Sequence, residues 1–208
     1  MFNETEVKKG IEEFNEEYGI LDEAIYFLSK KNNHNEFYHV FATVKLINFI
    51  YRTQIQNVHL EAISKYIVEL ENNCEISRLI RETNPLAVKK IANTKAIIIQ
   101  SNNEQNEKRD SSKKHLTRSY NNWSFATKYC AFHNPKYVIY DSMVRKVLEK
   151  SGVNKKKIYI EGDIDVAYEK YLCYLENINK LRKDNNIPQS IENKEFDKFL
   201  WLKGKSLS

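Results

Sequence analysis

Residues 120–150, YNNWSFATKYCAFHNPKYVIYDSMVRKVLEK, decide the fold class. Ser124 to His133 reads as a short helix that must end at Asn134-Pro135, because proline pushes the residue before it out of the helical region. Tyr137 to Tyr140 then runs extended, and Asp141 stands where a helix N-cap belongs. The helix it opens carries Met143, Val144, Val147 and Leu148 on one side, with Arg145, Lys146 and Lys150 elsewhere. A helix, a tight link and a second helix thus direct Lys128 and Asp141 toward one cleft.

Helical periodicity continues on both sides. In 36–52, EFYHVFATVKLINFIYR, the residues Phe37, Phe41, Val44, Ile47 and Tyr51 follow three- and four-residue steps. Leu46, Phe49 and Ile50 widen that stripe, which predicts a helix buried on most of its girth. Leu60, Ile63, Ile67 and Leu70 predict another helix over 58–71. A third, over 85–100, starts at Asn84-Pro85, a cap followed by proline at the first helical position. Val166, Tyr168, Tyr171, Leu172, Leu175, Ile178 and Leu181 mark one over 166–181, and Phe196, Phe199, Leu200 and Trp201 a final one over 191–203. The best strand candidate, 158–160, is too short to build a sheet. The expected fold class is all-α. The stretch 101–119, SNNEQNEKRDSSKKHLTRS, reads as a basic loop or linker. It separates an N-terminal helical lobe, about 1–100, from residues 120–208 within a single domain, 1–208.

The composition of the 208-residue chain excludes several classes. Three cysteines without a CxxC pair make neither a disulfide scaffold nor a cysteine-rich zinc site. No apolar run approaches the ~18 residues of a membrane span, and the first ten residues lack the features of a secretion signal. The expectation is a cytoplasmic protein, monomeric, with no membrane partner. The five histidines contain no i,i+4 pair, and five scattered glycines cannot form a phosphate-binding loop, so no metal and no cofactor are expected. Net charge is +5, but the first 30 residues set eight acids against three lysines, leaving +10 on residues 31–208. A basic body suits a polyanion such as DNA, although a lysine-rich solvated surface explains the same count.

The order of a lysine early in a helix, a hydrophobic link, and then Val/Ile-x-Asp opening the next helix resembles the helix-hairpin-helix DNA glycosylases. It is most similar to the 8-oxoguanine DNA glycosylase fold of small bacterial and archaeal members. SFATKY at 124–129 stands where that family has its hairpin and catalytic lysine, and VIYDSMV at 138–144 where it has its catalytic aspartate. DKFLWLKGK at 197–205 is similar to the tail of the smaller members. The family's hairpin is glycine-rich, whereas WSFAT at 123–127 has no glycine. The histidine common two positions after the aspartate is missing, and the lysine-to-aspartate spacing is shorter than in many members.

The resemblance implies a two-lobed helical glycosylase that flips a damaged or modified base out of duplex DNA, in base excision repair or in defence against modified phage DNA. Lys128 would attack the sugar C1′ and form a Schiff base, opening a route to strand cleavage, and Asp141 would stabilise the developing charge or activate the nucleophile. The amine must be neutral to attack, which desolvation or a cationic neighbour favours. Trp123, Phe132, His133 and Trp201 are candidates to hold the flipped base. Lys113, Lys114, Arg118, Lys136, Arg145 and Lys146 are candidates for the DNA backbone. Each residue also has a plainer role: Asp141 as a helix cap, Lys128 as a solvated lysine, the tryptophans as core. A catalytically inactive helical DNA-binding module and a regulatory or structural partner-binding protein are the competing classes.

Overall fold

The computed structural model of the chain describes residues 2–31, 34–53, 55–93 and 122–207. All regular structure among them is helical: α1 (Glu4–Lys31), α2 (Phe37–Tyr51), α3 (Asn57–Cys74), α4 (Ile76–Arg81), α5 (Leu86–Ala92), α6 (Trp123–His133), α7 (Ser142–Lys150), α8 (Lys155–Ile158), α9 (Ile164–Asp184) and α10 (Asn193–Lys205). The all-α expectation holds. The basic stretch 101–119 and the second half of the helix expected over 85–100 lie outside the described residues.

The one strand candidate resolves as no strand, and one expectation needs correction. Ile158-Tyr159-Ile160 forms no strand: Asn154 caps a single helical turn by accepting from the Lys156 N–H, and Ile158 closes that turn with its side chain in the core. The α2 stripe is also narrower than its apolar content suggests. Val40, Val44 and Ile47 are buried, but Tyr38 and Phe49 are 76% and 79% exposed, because α1 and α3 cover one face of the helix and leave the other bare.

The acid-rich N-terminus forms the longest helix. Val7, Phe14, Ile25 and the Ser29 hydroxyl lie on one face of α1 at helical spacing, while the glutamates face water. That face packs on α10 as well as on α2 and α6, so elements from both sides of 101–119 share one core. The Phe2 ring meets Phe199 edge-on at 4.9 Å, and the Phe2 N–H donates to Asn185 Oδ1.

α6 is the centre of the packing. Every residue from Phe125 to Phe132 is buried, because α1, α2, α4 and α5 surround the helix. The link that follows is extended without a sheet partner, and side chains satisfy its backbone instead. Tyr174 and Tyr171 donate to the carbonyls of Ile139 and Val138, and the Tyr140 N–H donates to Thr127 Oγ1. Asn134 Nδ2 and the Tyr137 hydroxyl fasten the start of the link to the α4–α5 turn. These bonds fix where Asp141 begins α7.

Two histidines sit in this core. His34 Nδ1 is 2.8 Å from the Tyr129 hydroxyl, and its ring lies 4.2 Å from that of His133. Burial lowers His34 to about 4 despite the nearby Glu71, and burial with His34 alongside holds His133 well below its ordinary value. Both are therefore neutral in the folded chain at neutral pH. The unfolded chain takes up protons first as pH falls, so stability is full above about 6.5 and is lost toward 4. His34 alone accounts for roughly 3 kcal/mol across that window. Urea unfolding at stepped pH is expected to show this fall, and His34→Gln to flatten it. An unchanged slope in the variant would contradict the assignment.

Candidate functional site

Helix geometry puts Ser124 and Lys128 on one face of α6, four residues apart. Lys128 Nζ donates to Ser124 Oγ at 2.9 Å and to Asp141 Oδ2 at 2.9 Å. Asp141 divides its two oxygens. Oδ1 accepts from the Met143 N–H at 2.9 Å as the N-cap of α7, and Oδ2 takes the lysine. The cap role and the meeting with Lys128 are thus both present in one carboxylate. Burial would raise its pKa, but the Lys128 charge and hydrogen bond, the Met143 N–H and nearby Arg145 outweigh it and hold Asp141 below its ordinary range.

The two partners differ in access. The Lys128 side chain is 2% exposed, with the Tyr51 ring 5.6 Å from its ammonium, while Asp141 keeps 14% of its surface. Solvent therefore meets the carboxylate before the amine.

A second charged cluster abuts the first. Asp22 of α1 binds Lys194 Nζ at 2.9 Å and Lys198 Nζ at 3.5 Å, and accepts from the Tyr51 hydroxyl at 2.7 Å. Tyr51 thus lies between the two ion pairs, touching Lys128 through its ring and Asp22 through its oxygen. Lys194 also sits 3.9 Å from the centre of the Phe132 ring. Burial lowers the Lys194 pKa even with Asp22 opposing it. Sequence reasoning missed this cluster, since Asp22 is one acid among eight in its segment and its lysine partners lie 172 and more residues away. Ser124 was also missed, although its four-residue spacing from Lys128 is a usable signal.

The expected aromatic platform is not assembled on an open face. Trp123 is buried against Tyr171 at 5.4 Å, with no hydrogen-bond partner for its indole Nε1 among the described residues, and Phe132 is enclosed by Tyr51 and Lys194. His133 packs against His34 and Tyr129 with its ring tilted to both. Trp201 packs edge-on against Phe14 and Tyr18 at the α1–α10 seam. The physical reason is that α6 is covered on all sides, so its aromatic residues fill the core. Phe132 shares a neighbour, Tyr51, with Lys128.

Among the backbone candidates, Lys136 is exposed and lines an open groove of about 660 Å³ with Arg182, Lys183 and Gln189. Arg145 is engaged elsewhere, its guanidinium 4.0 Å from the Tyr159 ring centre, and Lys146 is half-buried. Lys113, Lys114 and Arg118 lie outside the described residues. Among the described residues no group of three or more histidine, cysteine or acidic side chains is placed to hold a metal ion, and no helix is long and apolar enough to cross a membrane.

The chain belongs to the family described as HI_0787_N, N-terminal domain, which matches residues 6–137. That match spans α1 to α6 and includes Lys128, ending just before Asp141. A protein of Haemophilus influenzae named "Uncharacterized protein" is 37% identical over 87 residues. The shared stretch covers 41% of this chain and 38% of that relative, well short of the relative's full length. No solved structure matches the chain.

Proposed function

We propose that the chain is a DNA glycosylase with abasic-site lyase activity, built on a two-lobed helix-hairpin-helix glycosylase fold and acting on a damaged or modified base in duplex DNA. One observation carries this reading: a lysine amine and an aspartate from consecutive helices, 2.9 Å apart, in the order the glycosylases use. Transfer of a proton from Lys128 Nζ to Asp141 Oδ2 frees the amine lone pair. That pair forms the N–C1′ bond while the N-glycosidic electrons leave with the base. The C1′–O4′ bond then opens to the imine, O4′ taking the proton held by Asp141 and the departed base taking one from the newly bonded nitrogen, and β-elimination proceeds from that imine. Asp141, returned to its anion, offsets the positive charge at the sugar. The basic body, with Lys136 and Lys146 on it, supplies phosphate attraction. Repair and defence against modified phage DNA share this chemistry, carried out by a cytoplasmic monomer.

A second reading, a helical DNA-binding module without catalysis, is favoured by the near-complete cover over Lys128. A panel of duplex oligonucleotides bearing oxidised, alkylated and hypermodified bases separates the two. Abasic-site formation on at least one member is the result expected of the glycosylase. Salt-sensitive DNA binding with no base released from any member would favour the module.

A further inference from the structure

The open groove of about 660 Å³ lies where the C-terminal end of α9, the connection to α10 and the start of the link after α6 meet. Its walls are fastened to one another. Asn193 Nδ2 donates to the Lys136 carbonyl at 2.6 Å, and the Lys194 N–H donates to the Pro135 carbonyl at 3.0 Å. Arg182 holds the connection in place. Its Nη1 donates to Asn193 Oδ1 at 2.7 Å and its Nη2 to the carbonyls of Pro188 and Ile191, with the Phe196 ring 5.2 Å from the guanidinium. The groove is therefore set before anything enters it, which spares a ligand the cost of ordering it.

Three cations, Lys136, Arg182 and Lys183, line the groove against one acid, Glu192. None of the three forms an ion pair with any described residue, and Arg182 spends its donors on neutral oxygens that leave its charge uncompensated. Lys136 and Lys183 are exposed, and the amides of Asn179 and Gln189 form no hydrogen bond with any described residue. The buried Ile187 and Ile191 give the groove an apolar surface between these polar groups. A matching ligand carries negative charge, a flat apolar face and hydrogen-bonding edges. An unpaired nucleotide presents all three in its phosphate, ring face and base edge. In a duplex the ring faces are stacked and the base edges paired, so its backbone could use the lysines but not the isoleucines. We propose that the groove binds an unpaired nucleic-acid strand, with Lys136 and Lys183 on its phosphates, a ring face on Ile187 and Ile191, and Asn179 and Gln189 on base edges. A free phosphate monoester is a poorer match, because the one forked donor, Arg182, has turned three of its N–H groups to the protein. The strand binds there whether or not Lys128 reacts.

Fluorescence anisotropy of the full chain with labelled single-stranded DNA, at stepped salt, tests this. Lys136→Gln/Lys183→Gln is expected to weaken binding on the order of 10-fold and to flatten the slope of log affinity against log salt by about 0.7 for each lysine. Lys156→Gln/Lys157→Gln removes the same charge from exposed positions of α8 outside the groove, and is expected to keep the wild-type slope. Asn179→Ala/Gln189→Ala is expected to lose affinity for the single strand and to bind the duplex of the same sequence as the wild type does. A wild-type chain that does not bind the single strand overturns the proposal. So do undiminished binding by Lys136→Gln/Lys183→Gln, equal losses in the two lysine variants, or an amide variant that loses duplex and single strand alike. None of these results touches the glycosylase reading, which stands or falls on base release and trapping.

Discussion

Asp141→Ala is expected to destabilise the chain by about 3–5 kcal/mol, the usual cost of removing one partner from a buried ion pair. The substitution leaves the Lys128 ammonium, on a side chain that is 2% exposed in the wild type, with the Ser124 hydroxyl and the Tyr51 ring as its remaining contacts among the described residues. It also strips the cap from the Met143 N–H, a further loss of ~1 kcal/mol. Lys128→Met removes the other partner but keeps the cap, and the remaining carboxylate is the more exposed of the two, so its cost is smaller. The double variant Lys128→Met/Asp141→Asn is expected to recover most of the difference, since the uncompensated charge is gone and asparagine still caps. Urea unfolding of the four chains checks this. A loss below about 1 kcal/mol for Asp141→Ala, the median worth of a solvated surface pair, would show that the pair is not a buried one.

Gly204→Ala is the second large effect. A Cβ there falls 2.2 Å from the Met143 carbonyl oxygen and 2.5 Å from its carbon, because α10 lies backbone to backbone on the first turn of α7. No side chain can rotate away, so the helices must separate, at a cost of roughly 3 kcal/mol. The displaced turn is the one Asp141 caps. Any activity that depends on the 2.9 Å contact to Lys128 is therefore expected to fall as well, and a shift of about 1 Å can cost 100-fold in rate. Gly10→Ala is the control. Its Cβ would meet the Phe199 ring at 2.7 Å, and a ring can yield where a carbonyl cannot. Equal melting temperatures for Gly204→Ala and the wild type would contradict the close helix contact.

The parts of the fold legible in the sequence are those governed by local rules. Asn134-Pro135 ends α6 where the restriction before proline requires it, Asp141 caps α7, and the apolar steps of 58–71, 166–181 and 191–203 correspond to α3, α9 and α10 within a few residues. The α1 helix escaped notice because its glutamates dominate the segment, although Val7, Phe14 and Ile25 keep helical spacing beneath them. Phe49 misled for the opposite reason: apolar content marks a surface that can be buried, but which elements arrive to cover it is a tertiary matter. In the site, the Lys128–Asp141 contact follows from a helix, a short link and a cap. The Asp22–Lys194 pair joins the two ends of the chain, and no local pattern encodes it.

The most direct measurement for the central claim is borohydride trapping of the full chain on a duplex containing an abasic site. A covalent protein–DNA adduct that forms with the wild type and is lost in Lys128→Ala, with that variant still folded by circular dichroism, is the predicted result. An adduct of undiminished yield in Lys128→Ala, or none with the wild type under conditions where it binds the duplex, would contradict it.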